Sequence, residues 1–361
     1  MPQVATRGRA RIRVLLAAAV LLGALALDSP APASAKLLKG FWGPTHFNGK
    51  SAFPIYKDLG VNVFQIQLHW NEVAPVPPLN ARDPKSVAYQ WPSDIGYAVS
   101  QAKKYHMQVS IMPIFTPTWA SGNQNRAAPP GSPKSYADFV YAASKKYPSV
   151  HLWQIWGETN AALQWTPQGG APQYYSQVLD AAYGQLKKRD KHNIVIGGNT
   201  FTAGDTKPVP WVQQMRLPNG KKPRLDLYGH NPFTNRKPDL SNPPFRPGYA
   251  DFSDLRRFSK TVDKNLGTSH RHHIPLFLSE WCEPTTPPGE YDSEFSWILT
   301  YKQQKEWLQA GFRVAKAVGA YMFGWIHLED IPNGSGGYKS WSGLVQSNGV
   351  HKPAYSAFKH G

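Results

Sequence analysis

His151-Leu-Trp-Gln-Ile-Trp-Gly-Glu158-Thr-Asn160 is the stretch on which the reading of this chain turns. A mostly apolar and aromatic run ends in a carboxylate and polar residues. A run of this length suits a strand covered on both faces, and a charge at its carboxyl end escapes burial. Pro275-Leu-Phe-Leu-Ser-Glu280-Trp281 repeats the pattern, with its glutamate 122 residues after the first. Two strand-end carboxylates so far apart in sequence meet only if their strands share a sheet or barrel. A facing pair of carboxyls is what glycosidic bond cleavage requires: one protonates the leaving oxygen, and the other attacks the sugar carbon or activates water.

Working outward, eight strand-like runs are predicted, over residues 38–43, 61–70, 108–115, 151–157, 193–199, 225–230, 275–281 and 320–326. Amphipathic stretches with apolar residues three and four apart lie between them, at residues 94–106, 135–146, 173–189, 252–266 and 297–316. This alternation indicates parallel strands joined by helical crossovers, and eight units close into a (β/α)8 TIM barrel. An open doubly wound sheet would announce a glycine-rich phosphate turn after an early strand, and Gly197-Gly198 falls short of one. Prolines and glycines gather after the strands, notably at residues 231–247 and 283–292, which are expected to wall the active face.

Arg7, Arg9, Arg11 and Arg13 precede an apolar run over residues 14–27, followed by Ala33-Ser34-Ala35. Residues 1–35 therefore read as a secretory signal peptide cut after Ala35, too short to span a bilayer. Residues 36–361 then form a single catalytic domain, exported, without a membrane span and expected as a monomer. This domain carries 36 Lys and Arg against 22 Asp and Glu, a net charge of +14. The excess suits either attraction to anionic glycans or basic residues spread over helix ends for solubility. Nothing resembles a nucleic-acid-binding signature. Cys282 is the sole cysteine, so there is no internal disulfide, and the thiol reads as a buried bystander rather than a nucleophile.

Several short motifs appear in barrel order: Trp70-Asn-Glu-Val-Ala-Pro75, Thr116-Pro-Thr-Trp-Ala120, Trp156-Gly-Glu-Thr-Asn160, His230-Asn-Pro-Phe233 and Leu278-Ser-Glu-Trp281. The chain closes with a turn and helix over residues 343–358. In this order they resemble glycoside hydrolase clan A, the retaining (β/α)8 glycosidases, and families 39 and 5 most closely. The resemblance implies that Glu158, ending strand four, is the acid/base, and that Glu280, ending strand seven, is the nucleophile. It carries two departures. Gly157 stands where the clan has an Asn that contacts the sugar 2-hydroxyl, with Asn160 and Asn199 as substitutes. Phe233 stands where the clan has a Tyr that reaches the nucleophile; Tyr228 is the alternative.

Aromatic neighbours Trp153, Trp156 and Trp165 would raise the Glu158 pKa, whereas Glu280 should be surrounded by hydrogen bonds or a cation to stay ionised. Trp42, His69, Trp119, Trp281 and Trp325 are candidate sugar contacts, with Trp325 favoured as a stacking platform and core filler the alternative for each Trp. His230 is either a hydrogen-bond partner in the site or a satisfied core histidine. Glu72 and Glu283 are competing carboxylates. His270-Arg-His-His273 precedes strand seven and so reads as a solvated turn on the opposite face, while Glu329-Asp330 reads as a rim contact rather than a calcium site. The resulting expectation is a secreted retaining glycoside hydrolase acting on a polysaccharide or oligosaccharide, needing no cofactor or metal. A transglycosidase using the same residues and a catalytically silent glycan-binding barrel are the alternatives.

Overall fold

The computed structural model describes residues 36–361. The expected signal peptide and its cleavage point lie outside the described residues. Eight parallel strands close into a barrel: β1 Leu38–Trp42, β2 Val63–His69, β3 Gln108–Ile114, β4 Leu152–Gln154, β5 Ile194–Phe201, β6 Leu227–Asn231, β7 Leu276–Leu278 and β8 Met322–Ile326. Each pairs with its neighbours in sequence, and β8 closes onto β1 through the register Leu38 to Met322. The (β/α)8 expectation is met. No helix among the described residues is long and apolar enough to cross a membrane.

Besides one-turn helices at Trp70–Val73 and Thr118–Ser121, one longer helix follows each strand: α1 Phe53–Asp58, α2 Ser93–Lys104, α3 Pro133–Lys146, α4 Ala171–Arg189, α5 Pro208–Gln214, α6 Leu255–Leu266, α7 Tyr301–Ala317 and α8 Pro353–Lys359. In α6 the buried Leu255, Phe258, Val262 and Leu266 recur at helical spacing and face the strands. The sequence pattern begins the seventh helix at Trp297, but it starts at Tyr301. The Thr300 side chain accepts from the Gln303 amide while the Gln303 side chain accepts from the Thr300 amide, a capping box that ends the preceding loop. Helices α1 and α5 escape the periodicity because each is under eight residues long and carries a proline in its first turn, which reads as loop but fits there.

The barrel interior is layered. At its base Val63, Leu152, Ile196, Leu227, Phe277 and Met322 form an apolar plug separate from the larger core between strands and helices. Above it lies a hydrogen-bonded polar layer. The Gln154 amide donates to Gln65 Oε1 and Ser110 Oγ, both at 3.1 Å, and the Gln65 amide donates to the Ser279 carbonyl at 2.9 Å. Ser279 Oγ lies 2.9 Å from Gln65 Oε1 and 3.0 Å from Gln154 Oε1, and accepts from Trp42 Nε1 at 3.1 Å. Gly324 makes room for it, since a Cβ there would sit 2.1 Å from the Ser279 carbonyl oxygen. The layer joins β1, β2, β3 and β4 to the residue immediately before Glu280.

Candidate active site

β4 is short because the chain turns away sharply after it. Trp156 and Glu158 adopt left-handed backbone angles, with φ of +68° and +44°, a conformation that non-glycine residues take at an energetic cost. Three groups hold that turn. Asn199, itself at φ +44° in a bulge of β5, donates to the Trp156 carbonyl at 2.7 Å. Thr159 donates to the Gly198 carbonyl at 2.8 Å, and Trp156 Nε1 donates to the Gln164 carbonyl at 2.8 Å. The side chain of Glu158 is thereby directed over the barrel mouth.

Glu158 and Glu280 line one cavity of about 400 Å³, together with Phe201, Phe233, Phe295 and Trp297. A second cavity of about 450 Å³, lined by Trp42, Gln67, His327 and Glu329, shares Glu280, Glu294 and Ile326 with the first. Glu280 and Glu294 therefore stand where the cavities meet, with Glu158 close enough to Glu280 in the first to repel it. Burial raises the Glu158 pKa, and the amide of Asn231, donating to Glu158 Oε1 at 3.1 Å, partly opposes that rise. Glu280 is pushed well up by burial first and then by the negative charge of Glu158 and Glu294. Burial likewise brings Glu294 to about 7, against the opposing hydrogen bond from Tyr338. Carboxyls in this arrangement do not all ionise together, so a proton remains on the site near neutral pH.

The hydrogen bonds or cation expected around Glu280 are not what the fold supplies. Among the described residues the charges that act on it are those of carboxylates, and no Lys or Arg lines either cavity. The large basic excess lies elsewhere on the chain.

The other sequence candidates divide. Trp42 lines the second cavity. His69 lies at the end of β2, bonded to Glu72 and Gln67 at 2.9 Å each, and lines neither cavity. Trp119 donates to the Ala74 carbonyl and lines a separate pocket beside Trp70 and Asp138. Asn160 is buried, tying its loop to Phe201 and Thr206, and Asn199 is buried beneath the Glu158 turn. His230 points to the helix layer. Its Nδ1 meets Thr200 Oγ1 at 2.9 Å, its Nε2 meets the Ala250 carbonyl at 2.7 Å, and its ring packs on Phe258; burial lowers its pKa to about 4. Tyr228, two residues earlier, faces the same way and meets Thr200 rather than the nucleophile position. Trp281 and Trp325 are fully buried, edge to face with each other, and line neither cavity.

Residues that sequence reading passed over take those places. On β6 the side chains alternate, so with Tyr228 and His230 facing the helices, Asn231 falls on the lumen side; the period of two was the available signal. Phe201, Phe233, Phe295 and Trp297 make a continuous aromatic wall with centroid separations of 5.9, 5.7 and 4.9 Å. Trp297 is fixed by donating to Glu283 Oε2 at 2.8 Å, which gives that buried glutamate a supporting position. The loop after β7 contributes its wall through residues 294–297, just beyond the proline-rich stretch at 283–292.

A family 39 glycoside hydrolase from Bacteroides cellulosilyticus WH2 superposes with a TM-score of 0.63 over 89% of this chain at 16% identity. The chain has the fold of the family 39 glycoside hydrolases. A glucosidase from Croceicoccus marinus matches with a TM-score of 0.63 over 90% of the chain at 13% identity. A monomeric β-xylosidase from Caulobacter crescentus CB15 matches with a TM-score of 0.57, again over 90% of the chain, at 16% identity. The chain spans 62%, 66% and 67% of the lengths of these three proteins, respectively. No family model matches the sequence, and no curated protein does. The clan A resemblance read from the motifs thus holds at the level of the family 39 fold.

Proposed function

We propose that this chain is a retaining glycoside hydrolase, exported by way of residues 1–35. The observation that carries the reading is the convergence of Glu158 and Glu280, from the ends of β4 and β7, on one aromatic-walled cavity at the carboxyl face of the barrel. Burial raises both carboxyls, and the reactive form is the one in which the proton sits on Glu158: Glu158 protonates the leaving oxygen while the ionised Glu280 attacks the anomeric carbon and forms a glycosyl ester. Glu158 then takes a proton from the water that breaks the ester, and the sugar leaves with its configuration retained. Asn231 steadies Glu158 in its ionised phase. The lining, which brings Glu158, Glu280, Glu294 and Glu329 together with no Lys or Arg among the described residues, favours an uncharged sugar over a uronic acid.

A screen of polysaccharides and aryl glycosides, with chromatography of the products, tests the activity and identifies the sugar. The roles are tested by azide rescue. Glu280→Gly with azide should give a glycosyl azide of inverted configuration, and Glu158→Ala should give one of retained configuration while keeping activity on substrates with good leaving groups. Exchanged stereochemistry would reverse the roles. Full activity of either variant on a natural glycan would remove that residue from the reaction.

A further inference from the structure

Three side chains outside this mechanism's two catalytic glutamates converge beside them. Cys282 ends two residues past Glu280, His327 follows β8 in a left-handed conformation at φ +68°, and Glu294 comes from the loop beyond β7. One donor atom from each lies within 4.8 Å of the other two. We propose that Cys282, Glu294 and His327 form a binding site for a thiophilic divalent cation of the zinc type, whose occupation blocks the neighbouring cleft.

The donor set selects the ion. A thiolate, an imidazole nitrogen and a carboxylate oxygen match the borderline-soft preference of Zn²⁺, whereas Ca²⁺ and Mg²⁺ take oxygen. In a tetrahedral zinc site, bonds of about 2.0–2.3 Å place ligand atoms roughly 3.3–3.8 Å apart, so the cluster closes on an ion by small side-chain rotations. One ring nitrogen of His327, Nδ1, lies 3.8 Å from Glu294 Oε2. The same atom meets Ser342 Oγ at 2.6 Å and Ser340 Oγ at 3.0 Å, and an ion taking this nitrogen displaces those hydroxyls from it. Access runs through the cavity that Glu294 and His327 line, and Cys282 lies behind them without touching it. On binding, the Cys282 thiol releases its proton to solvent and its sulfur becomes a metal ligand. The ion then stands beside Glu280 and withdraws Glu294 from the cleft.

Binding is tested on the full described chain after chelator treatment, by calorimetry with Zn²⁺ and by the thiolate-to-metal absorption of Co²⁺. This part stands apart from the hydrolase reading; only the inhibition readout rests on it. The expected result is one ion per chain, a cobalt–thiolate band, and at least tenfold weaker binding in both Cys282→Ala and His327→Gln, with unchanged far-ultraviolet dichroism as the folding control. If a glycoside substrate is found, Zn²⁺ should inhibit the parent and not Cys282→Ala. Absence of binding would overturn the proposal. So would binding retained in Cys282→Ala, or binding lost instead on replacing the exposed His270 and His272.

Discussion

Asn231 donates to Glu158 across the mouth of the barrel at 3.1 Å, linking the end of β6 to the end of β4. Because the amide favours the ionised carboxylate, its loss raises the Glu158 pKa. In Asn231→Ala the alkaline limb of the pH–rate profile should move upward, since Glu158 stays protonated to higher pH. A charge-assisted hydrogen bond is worth about 1.5–3 kcal/mol, so kcat should fall roughly tenfold or more. An unmoved alkaline limb would show that Glu158 is not the group that titrates there.

The acid limb reports Glu280. Attack needs its carboxylate, so activity falls as pH drops through its pKa. Burial and the adjacent glutamates set that value above the ordinary carboxylate range. Glu294→Gln removes one of the negative neighbours and therefore lowers the Glu280 pKa. The acid limb should shift to lower pH in this variant, measured as kcat/KM in chelator-treated buffer. A shift to higher pH would contradict the electrostatic coupling.

Gly157 shows why one clan residue is replaced. A Cβ at this position would lie 2.6 Å from Met112 Sδ, so the methionine of β3 fills the space that an asparagine side chain requires. Gly157→Asn should cost roughly 1–3 kcal/mol by overpacking. Met112→Ala should cost about 2–5 kcal/mol by leaving a cavity. Combined, they should be less destabilising than their sum, because each relieves the other. Denaturant titration of the four proteins in the cycle measures this, and strict additivity would exclude the proposed steric exchange.

Lys352 is fully buried and donates to Asp330 Oδ1 at 2.5 Å and to Thr285 Oγ1 and the Trp341 carbonyl at 2.8 Å. It thereby fastens the loop after β7 to the loop after β8. Lys352→Met should destabilise the chain by about 3–5 kcal/mol, since Asp330 would be left buried and unpaired. Adding Asp330→Asn should restore part of the melting temperature. An unchanged transition in Lys352→Met would mean that Asp330 finds another partner.

The barrel was legible because eight apolar runs alternate with amphipathic ones, and that periodicity survives without knowledge of contacts. Glu158 and Glu280 were legible for a related reason: a charge at the end of an apolar run has few places to go. Sidedness was not. Trp325 and Ile326 are adjacent, and the choice of which faces the cavity depends on strand tilt, so the favoured platform is buried while its neighbour lines the cleft. Glu294, Phe295 and Trp297 were read as loop or helix start because only the Thr300 cap, placed by tertiary structure, fixes where the loop ends. The link from Cys282 to His327 spans two strand ends and leaves no local trace.

The Gln65, Gln154 and Ser279 layer beneath the cleft has a bearing on how this chain changes over generations. It anchors the backbone entering Glu280 to the opposite side of the barrel, through Gln65 and Gln154 within strands and Ser279 directly at the end of β7. Insertions, deletions and substitutions in the loops that carry Phe233, Phe295 and Trp297 are therefore free to remodel the cleft while the anchor below keeps its place. New substrate ranges become reachable by loop drift alone, whereas a single change at Gln65 or Gln154 closes that route by disturbing the foundation shared by every variant.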